Sequence, residues 1–258
     1  MASTGKIKLT WTKVDGATKY IIYRATSKDG TYSKLYTATG TSMTNTSVEV
    51  GKTYYYKVVA VHSNTAANSA ASAIVSKTCC LAQPKVTVTN VASTGKIQLT
   101  WNAVAGAAKY EVYRATSKNG TYTRLITTKG TSITNTSAEA GETYYYKVKA
   151  IHSNTAANSV SSEIVNRTCD LARPTVKVTL NSKGKPVVSW NKVEGAVKYK
   201  LYIYDVDGKL LKTAINTSTK ITHSSAVAGT AYNYRVVAIH SNTAANSAKS
   251  TVKKITAK

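Results

Sequence analysis

The chain has 258 residues, of which 42 % are hydrophobic, and 35 basic side chains against 11 acidic ones give a net charge of +24. It holds 18 Tyr, 3 Pro and no Phe, and an abundance of Tyr, Val and Thr suits a pleated, half-buried surface, so composition leans toward an all-β fold. No apolar run reaches membrane-spanning length. No paired carboxylates, nucleophile elbow, phosphate-cradling glycine loop or metal-ligand spacing is present, so neither an enzyme nor a cofactor is expected.

An eight-residue string, His-Ser-Asn-Thr-Ala-Ala-Asn-Ser, occurs at 62–69, 152–159 and 240–247 without a change. Trp11, Trp101 and Trp190 recur on nearly the same beat. The spacing is far too long for a solenoid turn and suits one small domain. The expected organisation is three tandem copies, over 1–80, 81–170 and 171–258.

Copy one opens with Gly5-Lys6-Ile7-Lys8-Leu9-Thr10-Trp11, where apolar and polar residues alternate as in a strand with one face buried. Copies two and three repeat this over 95–101 and 184–190. A second strand follows at 20–24, 110–114 and 199–203. Asp29-Gly30, Asn119-Gly120 and Asp207-Gly208 are hairpin signals. Further strands are expected near 33–38, 122–127 and 210–215, and weaker ones near 41–49, 131–139 and 218–227.

The clearest segment is Gly51-Lys52-Thr53-Tyr54-Tyr55-Tyr56-Lys57-Val58-Val59-Ala60-Val61. Its period-two pattern puts Tyr54, Tyr56, Val58 and Ala60 on one face, as it does Tyr144, Tyr146, Val148 and Ala150, and Tyr232, Tyr234, Val236 and Ala238. The repeated string then reads as a loop, and a last strand closes each copy over 70–78, 160–168 and 248–256. No stretch has helical periodicity. About seven strands in some 90 residues read as an immunoglobulin-like β-sandwich.

The strand-B Trp, the strand-C Tyr and the Gly-x-x-Tyr-x-Tyr-x-Val-x-Ala of strand F together resemble the fibronectin type III domain, three times over. Val112-Tyr113-Arg114-Ala115-Thr116-Ser117-Lys118-Asn119-Gly120-Thr121-Tyr122 is similar to the Tyr-rich version found in surface proteins of Gram-positive, often gut-dwelling, bacteria. The resemblance implies that Tyr54, Tyr144 and Tyr232 are tyrosine-corner residues bonding back to the E–F backbone, and that the three Trp fill the cores. It also implies that the repeated string is the F–G loop at the tip of each domain. Copies two and three are preceded by a strand A, at 84–89 and 174–179. Copy one lacks it, so the chain reads as a piece of a longer array whose first domain exposes an unpaired edge able to template another chain.

Two sets of binding residues stand out. In the loops, His62, Asn64 and Asn68, His152, Asn154 and Asn158, and His240, Asn242 and Asn246 offer hydrogen-bonding groups to a partner, while the same Asn and Ser types also stabilise turns by bonding nearby backbone. On the outward face of strands C and F, Tyr23 with Tyr55, Tyr113 with Tyr145, and Tyr202 form aromatic patches suited to sugars or a protein partner, or to plain cross-strand pairing.

Cys79, Cys80 and Cys169 make no disulfide framework, leaving thiols or intermolecular pairing. The dispersed lysines serve solubility and discourage edge pairing, or attract a polyanion such as an anionic wall polymer, sulfated glycan or nucleic acid, although no specific nucleic-acid motif is present. The expected role is a non-catalytic, extracellular spacer or adhesion array, a monomeric rod with Leu81-Ala82-Gln83 and Leu171-Ala172-Arg173 as short linkers. The alternative is a polyanion- or glycan-binding module.

Overall fold

A computed structural model describes residues 5–258. Strands account for nearly all its regular structure. In the first unit these are β1 (Ile7–Thr10), β2 (Lys19–Ala25), β3 (Ser33–Ala38), β4 (Ser42–Asn45), β5 (Thr53–Val61) and β6 (Val75–Thr78). The second has β7 (Val86–Asn90), β8 (Ile97–Trp101), β9 (Lys109–Ala115), β10 (Thr123–Thr128), β11 (Ser132–Asn135), β12 (Thr143–Ile151) and β13 (Val165–Thr168). The third has β14 (Val176–Leu180), β15 (Pro186–Trp190), β16 (Lys198–Tyr204), β17 (Leu210–Asn216), β18 (Lys220–Thr222), β19 (Ala231–Ile239) and β20 (Lys253–Thr256).

Each unit faces two antiparallel sheets. In the second these are β7-β8-β11 and β10-β9-β12-β13, and the third repeats the arrangement as β14-β15-β18 and β17-β16-β19-β20. The first unit has the four-stranded sheet β3-β2-β5-β6, but among the described residues β1 pairs only with β4. Among the described residues, no strand takes beside β1 the place that β7 and β14 take beside β8 and β15.

Alternation explains the cores. Tyr144, Tyr146, Val148 and Ala150 of β12 are buried, while Tyr145, Lys147 and Lys149 are half-exposed. They enclose a core with Ile97, Leu99, Trp101, Tyr110 and Val112, and equivalent clusters fill the other two units. Trp101 and Trp190 are buried, whereas Trp11 is half-exposed. The hydroxyls of Tyr54, Tyr144 and Tyr232 each accept the backbone N–H five residues upstream, from Glu49 (3.0 Å), Glu139 (3.2 Å) and Val227 (3.0 Å). These are the tyrosine corners, and they pin the E–F turn to the core.

A second buried pair lies beneath each corner. Asn45 and Asn135 donate Nδ2–H to Tyr56 and Tyr146 at 2.9 and 2.8 Å, and in the third unit His223 Nδ1 meets the Tyr234 hydroxyl at 2.8 Å. Burial pushes the Tyr146 hydroxyl up to about 12, and desolvation holds His223 below the ordinary imidazole range, helped by Lys212 and Lys185.

Three expectations change. Leu81 and Leu171 are not linker: both are buried in the core of the unit that follows them. The closing strands are regular only over their last four residues, because serine hydroxyls replace the ladder before them. Ser69 and Ser72 Oγ accept the N–H of Ala60 and Val58, then donate to the carbonyls of Ala70 and Ala73. Each repeated loop also contains a three-residue 3-10 turn, at Thr65–Ala67, Thr155–Ala157 and Thr243–Ala245.

Candidate functional site: loops at the unit junctions

The repeated string closes on itself by side chain–backbone bonds. In the first copy Asn64 sits extended at the start of the 3-10 turn and its Oδ1 accepts the Ala66 N–H at 3.1 Å. Asn68 Oδ1 accepts the His62 N–H at 3.0 Å, bridging the loop's two ends. His62 Nδ1 accepts the Asn64 N–H at 3.0 Å, which leaves the ring proton on Nε2. The same three bonds recur through His152, Asn154 and Asn158 and through His240, Asn242 and Asn246. This local bonding requires His, Asn, Asn and Ser at their fixed spacing with no ligand present.

The second and third loops also reach outside their own unit. Asn154 Nδ2 donates to the Gly51 carbonyl at 3.1 Å, and Asn242 Nδ2 to the Gly141 carbonyl at 2.9 Å. Gly51 and Gly141 lie in the E–F turn of the preceding unit with φ of +89° and +90°, a conformation that favours glycine. A Cβ at Gly51 would lie 2.9 Å from His152 Cε1, and one at Gly141 would run into His240 Cε1. Each imidazole therefore rests edge-on against a glycine backbone.

Apolar contact completes the junction. Val50 packs on the second core and Ala140 on the third. The Leu81 N–H donates to Ala157 O at 2.8 Å, the Leu171 N–H to Ala245 O at 2.7 Å, and Cys80 Sγ lies 3.4 Å from Ala156 O. Ala157, Ser159, Ala245 and Ser247 are buried in consequence, while their first-copy equivalents Ala67 and Ser69 are exposed. Sequence reasoning places the loops at domain tips but misses the receiving glycines. Their signal is Gly51 and Gly141 themselves, the start of the clearest strand segment.

The aromatic faces carry more than the expected residues. Register sets Tyr23 opposite Lys57 and Tyr55 opposite Ala25, so the two tyrosines are diagonal neighbours. Lys57 Nζ lies 5.8 Å from the Tyr23 ring and 4.6 Å from that of Tyr32. Tyr113, Tyr122 and Lys147 repeat this at 6.0 and 4.3 Å, with Tyr145 opposite Ala115. In the third unit the Tyr202 and Tyr204 rings stack at 6.3 Å, with Lys249 over both. Such cation–π contacts contribute about 0.5–1 kcal/mol each at exposed sites. The Tyr113 hydroxyl donates to Glu111 at 2.6 Å, and that bond leads the effects holding the Glu111 carboxyl below its usual range.

Cys79 and Cys169 are buried and unbridged, and burial raises both thiols. No group of three potential metal ligands occurs among the described residues, and none of their helices is long and apolar enough to cross a membrane. Only three ion pairs form among these residues, Lys52–Glu49, Arg124–Glu111 and Arg167–Asp170, so most of the positive charge faces solvent.

Sheet order, tyrosine corners and buried core Trp define an immunoglobulin-like sandwich repeated along the chain. The chain belongs to the fibronectin type III class, as domains in tandem. An Fn3-like protein from Clostridium thermocellum is 32% identical, covering 32% of this chain and 86% of that one, with a TM-score of 0.30. Exoglucanase B of Cellulomonas fimi is 27% identical over 88% of this chain. Human fibronectin type III domain-containing protein 7 is 29% identical over 96% of it. The chain spans 22% and 32% of the lengths of those two curated relatives. No family model matches it. Fibronectin type III domains are, as a class, non-catalytic modules.

Proposed function

We propose that this chain is a non-catalytic spacer that holds other parts of an extracellular bacterial protein at a defined distance, with domains over 1–80, 81–170 and 171–258 docked in series. One observation carries the reading: each later F–G loop is bonded to the E–F glycine of the unit before it. A loop serving only an outside partner would leave that pole open. In the first copy Asn64 and Asn68 are exposed and His62 half-buried, and they keep the same groups available to a neighbour or an adhesion partner. The relative Exoglucanase B, far longer than this chain, accords with a module placed among others.

Small-angle scattering tests the spacer directly. Three units of about 30 Å, nine-residue strands at ~3.3 Å per residue setting the scale, give an elongated particle on the order of 90 Å. A distance distribution of freely jointed beads would defeat the reading. A second reading, capture of an anionic glycan or wall polymer, draws support from the three Lys–Tyr faces and the unpaired positive charge. It predicts retention on heparin at physiological salt with steeply salt-dependent release, and flow-through at that salt removes it.

A further inference from the structure

The outward face of the sheet β17-β16-β19-β20 in the third unit is set row by row by its strand register. Ile215, Lys200 and Val237 stand side by side across three strands, and Thr213, Tyr202 and Arg235 form the next row. Lys198 with Ile239 lies to one side of these rows, and Tyr204 with Asn233 and Lys254 to the other. Directly opposed residues share a face, as do alternate residues along a strand, so all of these point away from the core.

The three units differ at the centre of this face. Where Lys200 stands between Ile215 and Val237, the second unit has Glu111 between Thr127 and Lys149, and the first has Ile21 between Thr37 and Val59. Glu111 is itself paired with Arg124 at 3.1 Å. Lys249, two residues beyond the repeated string, is Ala71 in the first copy and Ser161 in the second. The third unit has 15 basic residues against 3 acidic ones, and none of the ion pairs among the described residues lies in it.

Two of these cations converge on one ring. Lys200 Nζ lies 5.1 Å and Lys249 Nζ 4.6 Å from the Tyr202 centroid, and Lys249 also donates to the Tyr204 hydroxyl at 3.2 Å. The two nitrogens are therefore no more than about 10 Å apart, comparable with the screening length of about 8 Å in physiological salt. Beside them Val197, Ile215, Val237 and Ile239 line a shallow trough of about 420 Å³, together with Lys198 and Lys200. Ile215 is 60% exposed and Val197 52%. The matching face of the second unit stays open with a unit on either side of it, since Glu111, Tyr113, Lys147 and Lys149 are half-exposed. Adjoining chain therefore does not occupy this place.

We infer, resting on the glycan-capture reading above, that this one face is the binding site for a linear glycan bearing carboxylate or sulfate groups. Its sugar rings lie over Ile215 and Val237, and its anionic groups meet Lys198, Lys200, Arg235 and Lys249. The chemistry of the face separates this ligand from other polyanions. Single-stranded nucleic acid needs free aromatic faces on which its bases stack, and two ammonium groups already stand at Tyr202. A polymer of phosphate alone has no apolar surface to lay on an aliphatic floor. Sugar rings present C–H faces to such a floor while their charged substituents reach the flanking lysines.

The probe is a fluorescent heparin-derived octasaccharide, titrated into the intact 258-residue chain at physiological salt. Saturable binding is expected. Lys200→Glu with Lys249→Ser, which copies the residues of the second unit, should weaken it about tenfold, since each exposed ion pair lost amounts to roughly two- to fivefold and the new carboxylate repels. Lys183→Glu with Lys192→Ser alters the charge of the same unit equally, from exposed positions outside this sheet, and should weaken binding less than about twofold. Ile215→Asn should weaken octasaccharide binding about threefold and leave binding of a polyphosphate unchanged. Circular dichroism verifies folding, and should the first pair unfold the unit, Lys249→Ala, matching Ala71, should still weaken binding about two- to fivefold. Equal losses from the two lysine pairs overturn the inference and leave glycan capture to the overall charge of the chain. Failure of the unaltered chain to bind removes both. An oligothymidylate that binds more tightly through the same lysines, or an equal loss of polyphosphate binding in Ile215→Asn, also overturns the inference.

Discussion

Asn242→Asp separates the two tasks of the repeated loop. Asn242 Oδ1 accepts the Ala244 N–H at 3.1 Å, and Asp keeps that acceptor. Its Nδ2 donates to Gly141 O at 2.9 Å, and Asp replaces that donor with an oxygen facing a carbonyl. A net hydrogen bond contributes about 0.5–1.5 kcal/mol and its loss here leaves two acceptors opposed, so the junction should weaken by about 1–2 kcal/mol. That corresponds to roughly a five- to thirtyfold shift toward undocked arrangements. Asn64→Asp is the matched control, since its Oδ1 makes the same local bond to Ala66 and, among the described residues, its Nδ2 makes no bond to another unit. Spin labels on non-natural residues at Lys129 and Lys220 would report the distance distribution between the second and third units. It should broaden in Asn242→Asp and remain unchanged in Asn64→Asp. An unchanged distribution in Asn242→Asp would refute the clasp and leave the apolar contact of Ala140 and Leu171 as what fixes the junction.

Three other outcomes follow from the same geometry. Gly141→Ala should disrupt the junction by driving a Cβ into His240, whereas Gly229→Ala, with φ of +76° and nothing within 4 Å, should carry only backbone strain of roughly 1–2 kcal/mol; amide exchange of residues 240–246 distinguishes them. Tyr144→Phe removes the acceptor for the Glu139 N–H and should cost the second unit about 1–3 kcal/mol in chemical denaturation, while a neutral result would show that water replaces the hydroxyl. Burial holds the His223 imidazole below its ordinary range in the folded state, while an unfolded imidazole takes up a proton near its ordinary value of about pH 6.5. Stability of the third unit is therefore full above that pH and falls as pH drops below it, and His223→Asn, matching Asn45 and Asn135, should abolish the fall. Exchange of β19 amides at pH 5 and pH 7 measures it, and an identical acid response in the variant would rule His223 out.

Local pattern made much of this molecule legible. Period-two alternation in Tyr54–Val61 and its repeats is a consequence of strand geometry alone, so the buried face could be named residue by residue. The Tyr-corner bonds span only five residues, and the closure of each His-Asn loop only two to six. Leu81 was less legible, because a short apolar segment before a proline looks like a linker until the core it enters is known. The lysine contacts of Tyr32 and Tyr122 depend on a hairpin folding back over strand F, a relation that no neighbouring residues encode.

The repeated string shows where that boundary runs. By itself the sequence determined the loop's internal conformation, because the donors and acceptors that shape it lie within the same eight residues. Only the tertiary structure decided that the identical string is exposed in the first unit and clasped to a glycine backbone in the second and third. That outcome rests on residues about a hundred positions away, Gly51 for Asn154 and Gly141 for Asn242, brought together by the stacking of one sandwich on the next.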